Sequence, residues 1–275
     1  MPELPEVETV VRAMRSALVG RRVRRVTVKH KPSVSGSPQK IQCLEGHRFE
    51  QVFRRAKFIR MDLEGGFAMA VHLRMTGWLG VLATGQTNPK MDPYERLRFE
   101  LDDGAEHLVF RDIRTFGRVW CGTREEIDGM REISKLGPEP LEIDADEFAK
   151  RLRSHGGGLK ALLLNQQFLA GVGNIYADES LFAAGLHPKF AAKKVSVERA
   201  KKLHASIQDI LQKAIAAGGS SVVDFVRPDG EKGWFQRELQ AYGREGEPCV
   251  RCATAIKRIV LGQRGTWFCP KCQRR

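Results

Sequence analysis

No stretch of the sequence approaches the roughly twenty consecutive apolar residues that a membrane-spanning helix needs, so a helical membrane protein is excluded. The first twenty residues lack the apolar segment of a secretory signal and carry Glu3, Glu6 and Glu8 instead. With neither feature the chain reads as cytoplasmic, a reducing setting in which disulfides are disfavoured. Internal repeats and low-complexity segments are absent too, so nothing suggests a repeat architecture. Acidic residues are scarce in two blocks: two against twelve basic from Arg21 to Arg60, and two against eight from Arg244 to Arg275.

What is present fits a soluble protein of two domains. The 275 residues are 42% hydrophobic and 29% charged, with a net charge of +13. Between Glu125 and Glu147 the balance reverses, to nine acidic residues against two basic. Two basic blocks separated by an acidic connector suggest two surfaces that grip one polyanion, with nucleic acid the leading candidate.

The hydrophobic period changes along the chain. Pro5 opens a helical pattern with Val7, Val10, Val11, Met14 and Leu18 on one face, closed by Gly20. A two-residue period follows. Ile59, Met61 and Leu63 alternate with Arg60, Asp62 and Glu64. Phe67, Met69, Val71 and Leu73 alternate with Ala68, Ala70 and His72. Leu97, Phe99 and Leu101 continue it, and Asp103-Gly104 reads as a hairpin turn. Residues 1–130 therefore form a mostly antiparallel sandwich or barrel, and 131–150 a connector around Gly137-Pro138-Glu139-Pro140. Residues 151–238 are helical, with a long helix from Ser196 to Gly218-Gly219, and 239–275 carry four cysteines.

Cys249-x-x-Cys252 and Cys269-x-x-Cys272, with sixteen residues between them, have the spacing of a closed tetrahedral site for one structural zinc ion. In a tail too short for a core of its own, the metal supplies the folding energy. Between the knuckles a hairpin carries Gly262-Gln263-Arg264-Gly265 at its tip, well placed to press the Arg264 guanidinium onto a phosphate. Asn174 follows a glycine turn and heads a short helix, so it reads as an N-cap whose neighbouring amides suit a phosphate. His72 and Lys160 are further phosphate candidates.

At the N-terminus, removal of Met1 exposes Pro2 as a secondary amine. An α-amino group titrates near pH ~8 rather than the ~10.4 of lysine, so an appreciable fraction is an unprotonated nucleophile at neutral pH. Attack on a sugar carbon gives an iminium ion, an electron sink for eliminating the attached phosphates. Glu3 and Glu6 are at hand to move protons.

Six elements occur in order: Pro2-Glu3-Leu4-Pro5-Glu6, Arg55-Ala56-Lys57, His72-Leu73-Arg74-Met75, Asp112-x-Arg114-x-Phe116-Gly117, Gly171-Val172-Gly173-Asn174-Ile175-Tyr176-Ala177, and the four-cysteine tail with Arg264. In these the chain resembles, from end to end, the bacterial formamidopyrimidine-DNA glycosylase family. The resemblance implies an α+β fold, with an N-terminal antiparallel β-sandwich and flanking helices, then a helix–two-turn–helix domain and a zinc-finger β-hairpin. It implies a monomer that acts on damaged double-stranded DNA, releases 8-oxoguanine and formamidopyrimidines, and cuts the strand by β- and δ-elimination. Carried over by residue, Pro2 attacks C1′, Glu3 shuttles the proton, Glu6 helps position the sugar, Lys57 serves β-elimination and Arg264 serves δ-elimination. Because a stacked base cannot offer C1′ to an amine, the nucleotide must be extruded. Met75 and Phe116 would fill the gap as apolar wedges and Arg114 would read the orphaned partner base.

Two positions depart from the family pattern. Tyr94-Glu95-Arg96 stands where many relatives have His-x-His, so a DNA contact there passes to Tyr94. Val223 falls where several have Lys or Arg, in the loop thought to cover the extruded base. Two alternatives stay open: an endonuclease VIII-like enzyme for oxidised pyrimidines, against which Leu4 speaks because that group usually has glycine there, and a non-catalytic zinc-finger DNA-binding protein.

Overall fold

The computed structural model describes every residue except Thr87, Asp103, Val223 and Asp224, so the expected turn at Asp103 and the substitution at Val223 lie outside the described residues. The chain forms two compact units, one of Met1–Ser134 with Gly218–Gly233, the other of Lys135–Ala217 with Trp234–Arg275.

In the first unit, helix α1 (Leu4–Leu18) precedes eight strands: β1 (Val23–Val28), β2 (Phe49–Arg55), β3 (Phe58–Leu63), β4 (Phe67–His72), β5 (Gly77–Ala83), β6 (Glu95–Leu101), β7 (Glu106–Asp112) and β8 (Arg118–Thr123). They make two four-stranded antiparallel sheets, ordered β1-β6-β7-β5 and β2-β3-β4-β8. The expected faces meet between them. Ile59, Met61, Leu63, Met69, Val71, Leu97, Phe99 and Leu101 join Val7, Val10, Val11, Met14 and Leu18 of α1 in one core. This is a sandwich, closed at one side by the helix that carries the N-terminus.

Strand β4 departs from the alternation expected of it. Ala68, Ala70 and His72 are buried along with Met69 and Val71: short helix α2 (Arg124–Gly129) packs over the strand, and Phe58 stands edge-on against His72 at its far end. The side chains there are small enough for that approach: Ala68 pairs with Gly122, where an added Cβ would run into the Glu126 carboxylate. Arg60 is buried too, held by Asp62 at 2.6 Å and Asp128 at 2.7 Å.

The second unit is helical, with α4 (Ala145–Arg153), α5 (Leu159–Leu163), α6 (Asn174–Ala184) and α7 (Val197–Ala216), after the single turn α3 (Arg131–Ser134) that still belongs to the first. Asp144 caps α4 and Ser196 caps α7, each side-chain oxygen taking orphan amides of the first turn. Along α7, Ala200, Leu203, Ile207, Leu211 and Ala214 are buried, whereas Ile210 lies at the margin. The 131–150 segment is not a bare connector. Gly137 donates to the Gln166 carbonyl and Pro138 accepts from Ala170, so the Gly-Pro stretch is stitched to the α5–α6 turn. Nor is 151–238 one block, since 218–233 is built into the sandwich unit. The tail ends in the antiparallel hairpin β9 (Lys257–Leu261) and β10 (Arg264–Phe268).

Phe49 lies wholly inside the sandwich core. Phe49→Ala should cost about 3–5 kcal/mol through lost burial and the cavity left behind. Urea denaturation should show a lower midpoint with an unchanged slope.

Candidate active site

Pro2, Glu3 and Glu6 are buried together at the start of α1. Glu3 is the N-cap, and a reciprocal capping box closes the turn: the Glu3 carboxylate accepts the Glu6 amide, and Glu6 Oε2 accepts the Glu3 amide at 2.8 Å. The other oxygen of Glu6 accepts the amide of Ser220 at 2.7 Å. One carboxylate therefore ties the Pro2–Glu3 corner to the loop 218–233. That approach requires glycine at 219, where φ is +82° and a Cβ would lie 3.0 Å from the Glu6 side chain.

Lys57 sits in the two-residue turn between β2 and β3, made possible by Ala56 at φ +53°, and is buried. His72 at the end of β4 is also buried, with its ring edge-on to Phe58 at 4.7 Å. Burial pushes its pKa down to about 3, and the nearby positive charges of Arg74 and Lys57 add to the shift. Its Nδ1 lies 3.0 Å from the Arg74 amide and accepts from it, which assigns the remaining proton to Nε2. A neutral imidazole is thus held ready to donate from Nε2.

Met75, Arg114 and Phe116 are brought together by one buried carboxylate. Asp112 Oδ1 accepts the Thr76 hydroxyl at 2.5 Å, Oδ2 accepts the Gly117 amide at 2.6 Å, and the Thr76 hydroxyl accepts the Arg114 amide at 3.1 Å. The β4–β5 and β7–β8 loops are thereby fixed to each other. Arg114 is exposed with its guanidinium 4.9 Å from the centre of the Phe116 ring, Phe116 is 50% exposed, and Met75 is half-buried. An exposed aromatic on a braced loop is not a core residue. Tyr94 belongs to the same edge: Arg96 lies over its ring at 5.8 Å while donating to the Asp112 carbonyl at 2.8 Å.

In the second unit, Asn174 is the first residue of α6 rather than its cap, which is Gly173. The backbone at Gly173 is extended, and the Asn174 side chain leaves the helix to donate to the Gly265 carbonyl at 3.1 Å. Lys160 is wholly buried, with its ammonium 2.8 Å from Asp178 and 2.9 Å from the Gly265 carbonyl. An ammonium so enclosed has no surface to offer a phosphate, and the expected direct contact gives way to an internal one. Arg264 is exposed and opens β10, paired with Leu261 across a turn of Gly262 and Gln263. Both turn residues have positive φ, +52° and +62°, as a tight two-residue hairpin requires. The tip is thus two residues long, and Arg264 has the firmness of a strand.

The four thiols of Cys249, Cys252, Cys269 and Cys272 lie within 4.8 Å of one another. The Cys249–Cys272 and Cys252–Cys269 sulfur separations, 3.9 and 3.5 Å, bracket the roughly 3.8 Å edge of a tetrahedron with Zn–S bonds near 2.3 Å. They are far from the ~2 Å of a disulfide. Amides of Arg251 and Cys272 approach the Cys249 and Cys269 sulfurs at 3.4 Å, as amides do around thiolates. The donor set fits one zinc ion.

Comparison with known proteins agrees with this arrangement over the whole chain. Residues 1–119 match the formamidopyrimidine-DNA glycosylase N-terminal domain, residues 136–226 its H2TH domain, and residues 246–275 the zinc finger found in FPG and IleRS. The chain belongs to the formamidopyrimidine-DNA glycosylase family. The formamidopyrimidine-DNA glycosylase of Solibacter usitatus is 42% identical over 277 residues, covering 100% of both chains. The Lactococcus lactis Fpg in complex with a Fapy-dG-containing DNA superposes with a TM-score of 0.90 at 33% identity, covering 99% of this chain and 100% of that one. MutM from Thermus thermophilus gives 0.87 at 39% identity, covering 99% and 98%. The α+β fold, the sandwich, the helical domain and the zinc finger are those of the family.

Sequence reasoning missed four anchoring groups: the Asp112 brace, the Ser220 amide, and the buried carboxylates of Asp178 and Glu179. The last two had a legible signal, adjacent acids inside the mostly apolar sequence of α6. Glu179 accepts the amides of Gln240, Ala241 and Tyr242 at 2.8–2.9 Å, which fixes the approach to the zinc finger.

Chelation should remove the metal, unfold the tail and lower DNA affinity by about a hundredfold or more, while far-UV circular dichroism retains the sandwich signal. Unchanged affinity after verified metal loss would overturn a role for the tail in binding. A second expectation follows from His72. Its folded pKa lies below its ordinary value of 6.5, so the unfolded chain takes up a proton first, and stability falls as pH drops below about 6.5 toward 3. His72→Gln should lose about 1–2 kcal/mol less than the parent between pH 7 and 5 in urea titrations.

Proposed function

We propose that this chain is a bifunctional DNA glycosylase and abasic-site lyase of base excision repair that removes oxidised purines, 8-oxoguanine and formamidopyrimidines, through a Schiff base on Pro2. The observation that carries the reading is the buried corner in which Pro2 adjoins a reciprocal Glu3–Glu6 cap and Glu6 also holds the 218–233 loop. A nucleophile needs a fixed nitrogen with a proton carrier beside it, and the start of α1 supplies both.

Once Met1 is removed, the Pro2 nitrogen is a secondary amine. Its lone pair forms the bond to C1′ as the C1′–base bond breaks, and the departing base takes the electrons of that broken bond together with the N–H proton that Pro2 sheds. Glu3 donates a proton to O4′ as the sugar ring opens, leaving a cationic iminium ion with no further protonation. That cation makes the C2′ hydrogens acidic. Loss of one expels the 3′ phosphate, and a second elimination expels the 5′ phosphate. Lys57 serves the first elimination and Arg264 the second, where a guanidinium suits a leaving phosphate. Met75 and Phe116 occupy the gap left by the extruded nucleotide, and Arg114 reads the partner base. His72 through Nε2, Tyr94 and Asn174 contact the DNA backbone. The reading is of a monomeric cytoplasmic enzyme, and four free thiols gathered for one metal ion accord with a reducing compartment.

Borohydride added during turnover of an 8-oxoguanine duplex should trap a covalent adduct, and mass spectrometry should place it on Pro2. Retained Met1 or N-terminal acetylation should lower the yield by about a hundredfold or more, and Glu3→Gln should slow trapping by roughly 10²-fold. A full-strength adduct on a blocked N-terminus would sink the assignment. Faster release of thymine glycol than of 8-oxoguanine would move the chain to the pyrimidine-specific class.

A further inference from the structure

Strand β10 lies at the outer side of a two-stranded hairpin, so the backbone groups facing away from β9 ought to be left to water. They are not. Residues 265 and 267 pair with Val260 and Arg258, and between the bonded pairs their own amides and carbonyls point outward. The outward carbonyl of Gly265 accepts from both the Lys160 ammonium at 2.9 Å and the Asn174 amide at 3.1 Å, and the outward amide of Trp267 donates to Asp178 at 3.1 Å. Lys160 and Asp178 are both wholly buried and 2.8 Å apart. Two charges withdrawn completely from water are expensive to hold, and an apolar pair would pack as well. What such a pair supplies is direction: a donor and an acceptor at one place, matched to one register of one strand. A strand shifted by a single residue would present neither group. The residue immediately before this clamp is Arg264.

We propose that the buried Lys160–Asp178 pair, with Asn174, is a positioning device for Arg264, holding β10 in the one register and height at which its guanidinium meets the phosphate released in the second elimination. Lys160 then acts through the hairpin rather than on DNA. Neighbouring Glu179 extends the same platform by holding the amides of residues 240–242. One turn of α6 thus grips the tail both before its first cysteine knuckle and at its hairpin. The metal closes the finger on itself, and the clamp sets where the finger points.

The proposal rests on the assignment of Arg264 to δ-elimination, and the test separates the two. The full-length zinc-loaded protein is compared with Arg264→Ala, with Asp178→Asn, and with the double variant Lys160→Met, Asp178→Leu, which keeps the buried volume apolar so that folding is preserved. On an abasic-site duplex, Arg264→Ala should lower the ratio of δ- to β-elimination product by about tenfold or more. Both clamp variants should lower it by a comparable factor with one zinc per chain retained. In Asp178→Asn, borohydride trapping at Pro2 should stay within about twofold of the parent, a split that a general loss of stability would not produce. Hydrogen exchange at the Trp267 amide reads the strand directly and should quicken by about tenfold or more in the double variant. A parental product ratio in both clamp variants, beside a lowered one in Arg264→Ala, overturns the proposal, as does unchanged exchange at Trp267. An unchanged ratio in Arg264→Ala defeats the δ-elimination assignment, and with it the positioning claim.

Discussion

The carboxylate of Glu6 is the constraint on which the rest of the active-site unit depends. Its two oxygens hold two backbone amides far apart in sequence, Glu3 at the cap of α1 and Ser220 in a loop more than two hundred residues later. The group is buried, so both bonds act without competition from water, and losing either would strand a buried amide. The Pro2–Glu3 corner and the loop therefore have one common reference point. Helix α1 is itself pinned to the sandwich by Leu4, Val7, Val10, Val11, Met14 and Leu18, so the stiffness of the core passes to the Pro2–Glu3 corner.

The same economy of anchors recurs. Asp112 sets two loops at once and so aligns Met75, Arg114 and Phe116, side chains that a flexible loop would scatter. Asp178 and Glu179, one turn of α6, hold the tail at two places. In each case a buried carboxylate accepts backbone or hydroxyl protons from segments lacking their own regular hydrogen bonding. These are the sites where a loop or a small metal domain most needs an outside partner, because neither has a core of its own. Burial pushes the Asp178 and Glu179 pKa values up, Asp178 to about 7, opposed by the Lys160 ammonium and the amides they accept. The strength of those bonds is what keeps such groups useful inside the protein.

Much of the architecture was legible in the residues. The two-residue period of Ile59–Leu63 and Leu97–Leu101 marked strands whose buried sides meet in the sandwich, and the α1 stripe marked the helix that closes it. Serine at 196 placed the start of α7 to within a residue, while its end falls at Ala216, just short of the expected glycine pair. Other readings gave way to tertiary packing. Strand β4 is buried on both faces because α2 covers alanine positions that alternation had assigned to solvent. Asn174 is inside its helix because the preceding glycine takes the cap and frees the amide side chain for Gly265. Lys160 reads in the sequence as a phosphate ligand, and only its partner Asp178, eighteen residues on, shows why it is enclosed instead.

The sequence by itself determined what depends on local spacing: helix and strand periods, turns that need glycine, four thiols at metal-binding intervals, a proline at the second position, and the family those features define. Tertiary structure alone decided which distant groups meet. The Ser220 amide on Glu6, Thr76 and Gly117 on Asp112, and Gly265 and Trp267 on Lys160 and Asp178 are contacts between a side chain and backbone groups on other segments. Backbone amides and carbonyls are the same in every residue but proline, so a sequence carries no mark of which one a buried charge will find. Only the folded geometry chooses.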